Sequence, residues 1–157
     1  MAVHLSDLTM ATQITVQTKI HAPVEKVWEH YTNPDSITKW NFASEDWCCP
    51  RAESDLRPGG KFSSRMEAKD GSAGFDFAGE FIEVEPNKML SYQFGDRKAV
   101  ITFNGSGEST DVTVTFDAEK TNSEEMQRQG WQSILNQFKS FVETLDAQEA
   151  AKPADQQ

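Results

Sequence analysis

"GWQSILNQFKSFVETL", residues 130–145, carries Trp131, Ile134, Leu135, Phe138, Val142 and Leu145 at the i, i+3, i+4, i+7 spacing of one helix face. That stripe has to be buried against something, and the rest of the chain decides what.

Upstream, residues 61–118 read as strand, turn, strand. Phe62, Ser64 and Met66 alternate before a turn at Asp70-Gly71. "GFDFAGEFIEVEP", residues 74–86, holds Phe75, Phe77 and Phe81 on one parity but Ile82 and Val84 on the other. A parity change inside one strand predicts a bulge between Gly79 and Ile82, which curves a sheet. Leu90, Tyr92 and Phe94 alternate after the turn at Pro86-Asn87, and Ile101 and Phe103 follow Gly95-Asp96. Val112, Val114 and Phe116 then form the last strand. Short strands joined by tight turns indicate an antiparallel meander.

The N-terminal third supplies the rest. Ile14, Val16, Thr18 and Ile20 face one way and Thr15, Gln17, Lys19 and His21 the other, a strand with one wet side. In "APVEKVWEHYTNP", residues 22–34, Val24, Val27, Trp28 and Tyr31 make a short amphipathic helix that Pro34 stops. Asp35 or Ser36 can cap a second one containing Ile37 and Trp40. Part of 46–54 reads as a strand. The terminal helix is expected to start near Thr121 or Asn122, with Glu124 or Glu125 in a capping box, and to end near Leu145. The domain boundaries that follow are a flexible extension over 1–11, one domain over 12–145 and a flexible tail over 146–157.

A bent antiparallel sheet must cover its apolar inside, and only the last helix is long enough to do it. The expected class is therefore α+β: a helix-grip fold with a curved sheet of six or seven strands around the C-terminal helix, and two short helices after the first strand.

Bulk properties narrow the function. The net charge of −10 repels phosphates and anionic headgroups, and the basic residues form no stripe, which argues against nucleic-acid binding. No apolar run is long enough to span a membrane, and "MAVHLSDLTMATQ" lacks the basic and apolar segments of a signal peptide. The two cysteines, Cys48 and Cys49, are adjacent and have no third partner, so a reducing cytoplasm is the expected location. They and the scattered histidines make no metal-ligand pattern, and neither a metal nor a cofactor is expected.

With the elements ordered, the chain resembles a known family. "ITVQTKIHAPVEKVWEHYTNPDSITKW" (14–40), "LRPGGKF" (56–62) and "QGWQSILNQFKSFVETL" (129–145) are similar to the activator of heat-shock-protein-90 ATPase homologue family, within the START-like (SRPBCC, Bet v 1-like) superfamily. The resemblance implies a cavity between sheet and helix that takes lipids, sterols, polyketides or other apolar molecules. It also implies two alternatives, an interaction protein with a chaperone as partner and a polyketide cyclase or dehydratase-like enzyme.

The candidate cavity residues are Phe62, Met66, Phe75, Phe77, Phe81, Tyr92, Phe94 and Phe103 from strands and Trp131, Ile134, Leu135 and Phe138 from the helix. Trp28 and Tyr31 join them from the first short helix, and Trp40, Phe42 and Trp47 from the passage after it. These side chains either fill a dry core or line a pocket with a few polar anchors. Trp40, Phe42 and Trp47 either plug one end, guard a cavity mouth or form an exposed docking patch. No catalytic triad or phosphate-cradling loop stands out. Asp46, Arg65, Asp76 and Tyr92 are the polar groups that an enzyme reading would use, and Tyr92 shares parity with core-facing Leu90 and Phe94. The functional expectation is a non-catalytic module for a small hydrophobic ligand.

Overall fold

Strand β1 (Gln13–Ile20) buries Ile14, Val16 and Ile20 and leaves the residues between them exposed or half-buried, as its alternation requires. It opens a computed structural model that describes residues 12–151, with side chains through Glu149. Helices α1 (Val24–Thr32) and α2 (Pro34–Trp40) follow, then strands β2 (Trp47–Ser54), β3 (Lys61–Ala68), β4 (Gly74–Glu85), β5 (Met89–Phe94), β6 (Arg97–Ser106) and β7 (Ser109–Asp117), and helix α3 (Glu124–Ala151). The seven strands form one antiparallel sheet in the order β1-β7-β6-β5-β4-β3-β2. With α3 against its inner face this is the helix-grip arrangement.

The parity change in β4 is a bulge. Phe81 pairs with Tyr92 and Glu83 with Ser91, leaving Ile82 as the extra residue, 40 % exposed. The Glu83 N–H, displaced from the ladder, donates to Ser91 Oγ at 3.1 Å. Gly79 lets Phe62 lie against the strand, because a Cβ there would come within 2.8 Å of the Phe62 ring. A second irregularity falls between Cys48 and Arg51, where Pro50 sits in the edge strand β2. An edge strand tolerates the missing N–H of proline.

The other edge is sealed by α3. Arg128 Nη1 donates to the Thr15 carbonyl at 2.8 Å, Gln132 Nε2 to that of Gln17 at 3.2 Å, and Lys139 Nζ to that of Lys19 at 2.6 Å. Alternate carbonyls of β1 thus receive donors from one polar flank of the helix, which blocks pairing with another chain.

Three boundaries differ from the sequence reading. Pro34 does not merely stop α1; it is the first residue of α2, where its missing N–H costs nothing, and Asn33 rather than Asp35 or Ser36 caps that helix by accepting from the Asp35 N–H at 2.9 Å. Helix α3 begins at Glu124 behind Ser123, whose Oγ accepts the Met126 N–H at 3.1 Å. Ser123→Ala should therefore cost about 1 kcal/mol in urea unfolding, the usual loss for a serine N-cap. Helix α3 also continues through Ala151, past the expected stop at Leu145. Residues 146–151 of the proposed tail are helical, while 152–157 and the proposed extension over 1–11 lie outside the described residues.

Candidate functional site

Two groups of aromatic rings divide the interior. In the first, Trp28 and Tyr31 of α1 meet Phe103 of β6 edge-on at 5.2 and 5.5 Å, and Phe138 of α3 meets Tyr31 at 5.1 Å and Trp40 at 4.8 Å. This end is packed. In the second, Phe62, Phe77, Phe81, Tyr92 and Phe94 from strands β3 to β5 pack on one another, and Phe77 and Phe94 meet Trp131, which stacks on Phe116 at 3.9 Å. Between the groups lies a cavity of about 410 Å³.

Its wall is mainly apolar. Of the sequence candidates, Tyr31, Trp40, Phe62, Met66, Phe75, Phe77, Phe81, Tyr92, Phe94, Trp131, Ile134 and Leu135 line it. Phe75 does so at the rim, 50 % exposed, with its ring 6.0 Å from that of Trp47. Glu53, Leu56 and Asn122 are the other exposed wall residues, and they mark the mouth.

Trp28, Phe42, Trp47, Phe103 and Phe138 are not on the wall. Trp28, Phe103 and Phe138 belong to the packed end, one layer behind Tyr31 and Trp40. Phe42 follows the C-cap of α2, and Trp47 starts the edge strand. The exposed docking patch expected from Trp40 to Trp47 is not seen either. Trp40 is 5 % exposed, with its Nε1–H donated to the His30 carbonyl at 3.0 Å, and Phe42 and Trp47 are half-buried.

Among the polar candidates only Tyr92 reaches the cavity. Arg65 pairs instead with Glu67 at 2.9 Å and Asp76 at 3.5 Å, and Asp46 is exposed, its carbonyl accepting the Lys69 N–H. The Cys49 thiol is buried, which pushes its pKa up, and it donates to the Arg51 carbonyl at 3.5 Å. That environment suits an inert thiol, not a nucleophile.

The polar wall groups that sequence reading missed are scattered over strands, helices and the β7–α3 loop. Gln127 is 7 % exposed and fully used: its Oε1 accepts the Glu119 N–H at 2.8 Å, and its Nε2 donates to the Glu119 and Asn122 carbonyls at 3.1 and 2.9 Å. It ties the β7–α3 loop to the helix. Arg97 donates from Nε to the Asp117 carbonyl at 3.0 Å, lies 4.6 Å from the centre of the Phe94 ring, and has Nη1 3.8 Å from Glu119. Ser54, Ser64, Thr32 and Asn41 complete the set. Thr32 is spent on the Trp28 carbonyl at 2.9 Å, and Ser54 Oγ is buried with no partner among the described residues.

Tyr31 and Tyr92 differ from these. Burial pushes both phenols well above their ordinary pKa, and they remain protonated donors at any physiological pH. Neither hydroxyl has a hydrogen-bond partner among the described residues, yet neither is sealed off as Ser54 Oγ is. Both residues line the cavity.

Gly130 is also on the wall, within the second turn of α3. A Cβ there would meet nothing within 4 Å, so this glycine serves no close approach of helix to sheet. It leaves volume empty.

The family model for Activator of Hsp90 ATPase homolog 1-like protein matches residues 21–143. The chain is similar to the solution structure of an AHSA1-like protein from Aeromonas hydrophila, at 40% identity over 86% of this chain and 94% of that one, with a TM-score of 0.81. It is also similar to a protein from Cytophaga hutchinsonii, at 43% identity over 90% and 98% of the two chains, with a TM-score of 0.73. A crystal structure from Chromobacterium violaceum, 24% identical over 84% and 98% of the chains, shares the fold with a TM-score of 0.74. No curated protein matches the sequence.

Proposed function

Because this chain belongs to the family of Activator of Hsp90 ATPase homolog 1-like proteins, whose helix-grip fold supports a ligand-binding domain, we propose that it is a non-catalytic module that takes up a small hydrophobic molecule between the sheet and α3. The observation that carries this is the cavity. At about 410 Å³ it falls within the size range of small-molecule sites, and its wall is mainly aromatic and aliphatic.

Binding fits the wall better than catalysis. A cyclase or dehydratase must remove a proton inside its site, and a base has to titrate near the working pH to do so. Glu53 of this wall is exposed at the mouth, and Glu119 is held by Arg97 at 3.8 Å and by Asn122, so the wall's buried polar groups are hydroxyls and an amide already satisfied three times. They can orient an oxygen but not take a proton from carbon.

Thermal unfolding tests the reading. An apolar ligand supplied at 100 times its dissociation constant stabilises the folded state by about 2.7 kcal/mol. For a chain of this size that should raise Tm by roughly 5–10 °C. Native mass spectrometry of freshly purified protein should show the added mass of a co-purified apolar compound. A bare protein mass together with an unmoved Tm across lipid-like and polyketide-like compounds would favour the chaperone-partner alternative.

A further inference from the structure

We infer that the molecule held in this cavity is uncharged and carries a hydrogen-bond-accepting oxygen, which the hydroxyls of Tyr31 and Tyr92 grip. This rests on the reading of the cavity as an apolar ligand site and adds which apolar molecules it prefers.

The two phenols are wall residues whose hydroxyls make no hydrogen bond to another described residue. Tyr92 is 7 % exposed and packed among Phe62, Phe77 and Phe94, and Tyr31 lies across from it on α1 against Trp40 and Phe103. Both line the same cavity. A buried hydroxyl without a partner is costly, so a fully hydrocarbon guest would leave both unpaired. A guest with one carbonyl, ether or hydroxyl oxygen in reach satisfies them.

Charge decides against a carboxylate guest such as a free fatty acid. The ionisable wall residues other than the phenols are Glu53, Arg97 and Glu119, so the carboxylates outnumber the guanidinium. Arg97 is already engaged by the Asp117 carbonyl, the Phe94 ring and Glu119. A buried anion would therefore lose its hydration and find no free cation.

Three flat compounds of one shape separate the possibilities: 2-acetylnaphthalene, its isostere 2-isopropenylnaphthalene with CH2 in place of the carbonyl oxygen, and anionic 2-naphthoate. The protein is expected to bind the ketone at least about tenfold more tightly than the alkene, because sites built to hydrogen-bond reject analogues that leave them unpaired. The naphthoate should bind most weakly. Tyr31→Phe with Tyr92→Phe should erase the ketone's advantage over the alkene. The bound carbonyl stretch should lie at lower frequency in the wild-type protein than in the double variant, a readout that a purely structural role for the tyrosines would not move. Equal affinity for ketone and alkene in the wild-type protein, or tighter binding of the naphthoate, overturns this inference and leaves the cavity reading standing. No binding of either neutral compound overturns both.

Discussion

Phe138→Ala is expected to destabilise the protein by about 3–5 kcal/mol in urea unfolding, the largest effect among the interior substitutions considered. Phe138 is fully buried and meets Tyr31 and Trp40 edge-on at the packed end of the groove. Truncation there removes aromatic burial and leaves a void that two large neighbours cannot easily close. Phe77→Ala is the control. Phe77 is half-buried and has the cavity on one side, so fewer contacts are lost and its cost should fall clearly below that of Phe138→Ala. Equal costs would mean that the second aromatic group is packed as tightly as the first.

The second large effect is on binding. Gly130→Leu should reduce affinity for an apolar ligand at least tenfold while keeping or raising stability. A glycine inside a helix costs roughly 1 kcal/mol relative to alanine, and the new side chain enters a region where no atom stands within 4 Å of its Cβ. In a hollow the added carbons occupy ligand space and bury themselves. In a filled core the same change would overpack and destabilise by about 1–3 kcal/mol. The sign of the stability change therefore separates a pocket from a plug, with equilibrium unfolding and ligand titration run on the same sample.

Much of the fold was legible because it rests on parity and periodicity. The alternation of β1, the parity change across Phe81 and Ile82, and the stripe on α3 each have one structural solution, and together they lead to a curved sheet with a helix laid across it. What periodicity could not supply was the end of α3. Beyond Leu145 there is no apolar stripe to follow, yet the sequence AQEAA is rich in good helix formers. Lys26 of α1 also reaches Asp146 at 2.9 Å and Glu149 at 2.5 Å, a tertiary pairing invisible to a local pattern. The caps were misplaced by one to three residues for a related reason. Asn33 and Ser123 compete with neighbours of equal capping propensity, and tertiary placement decides among them.

The site was legible by direction but not by position. Parity told that Trp28, Phe103 and Phe138 point inward, and they do, but it could not tell which end of the groove would be packed and which left open. Phe75 has the inward parity of Phe77, but it lies so near the end of β4 that it becomes rim. Gln127 stands four residues before Trp131 and eight before Leu135, so it places an amide on the apolar stripe, where a polar residue needs a structural or binding reason. Arg97 and Glu119 gave no such sign, because their approach to the cavity depends on how the β5–β6 turn and the β7–α3 loop fold over the mouth.

A ligand held between the two aromatic groups is reported by the four tryptophans. Trp131 and Trp40 line the cavity, Trp28 lies in the packed layer behind it, and Trp47 sits on the edge strand. In protein labelled with 5-fluorotryptophan and titrated with 2-acetylnaphthalene, the fluorine resonances of Trp131 and Trp40 should shift to saturation together, while those of Trp28 and Trp47 stay nearly still. A saturable shift confined to Trp47, or no shift at any of the four, would contradict the account.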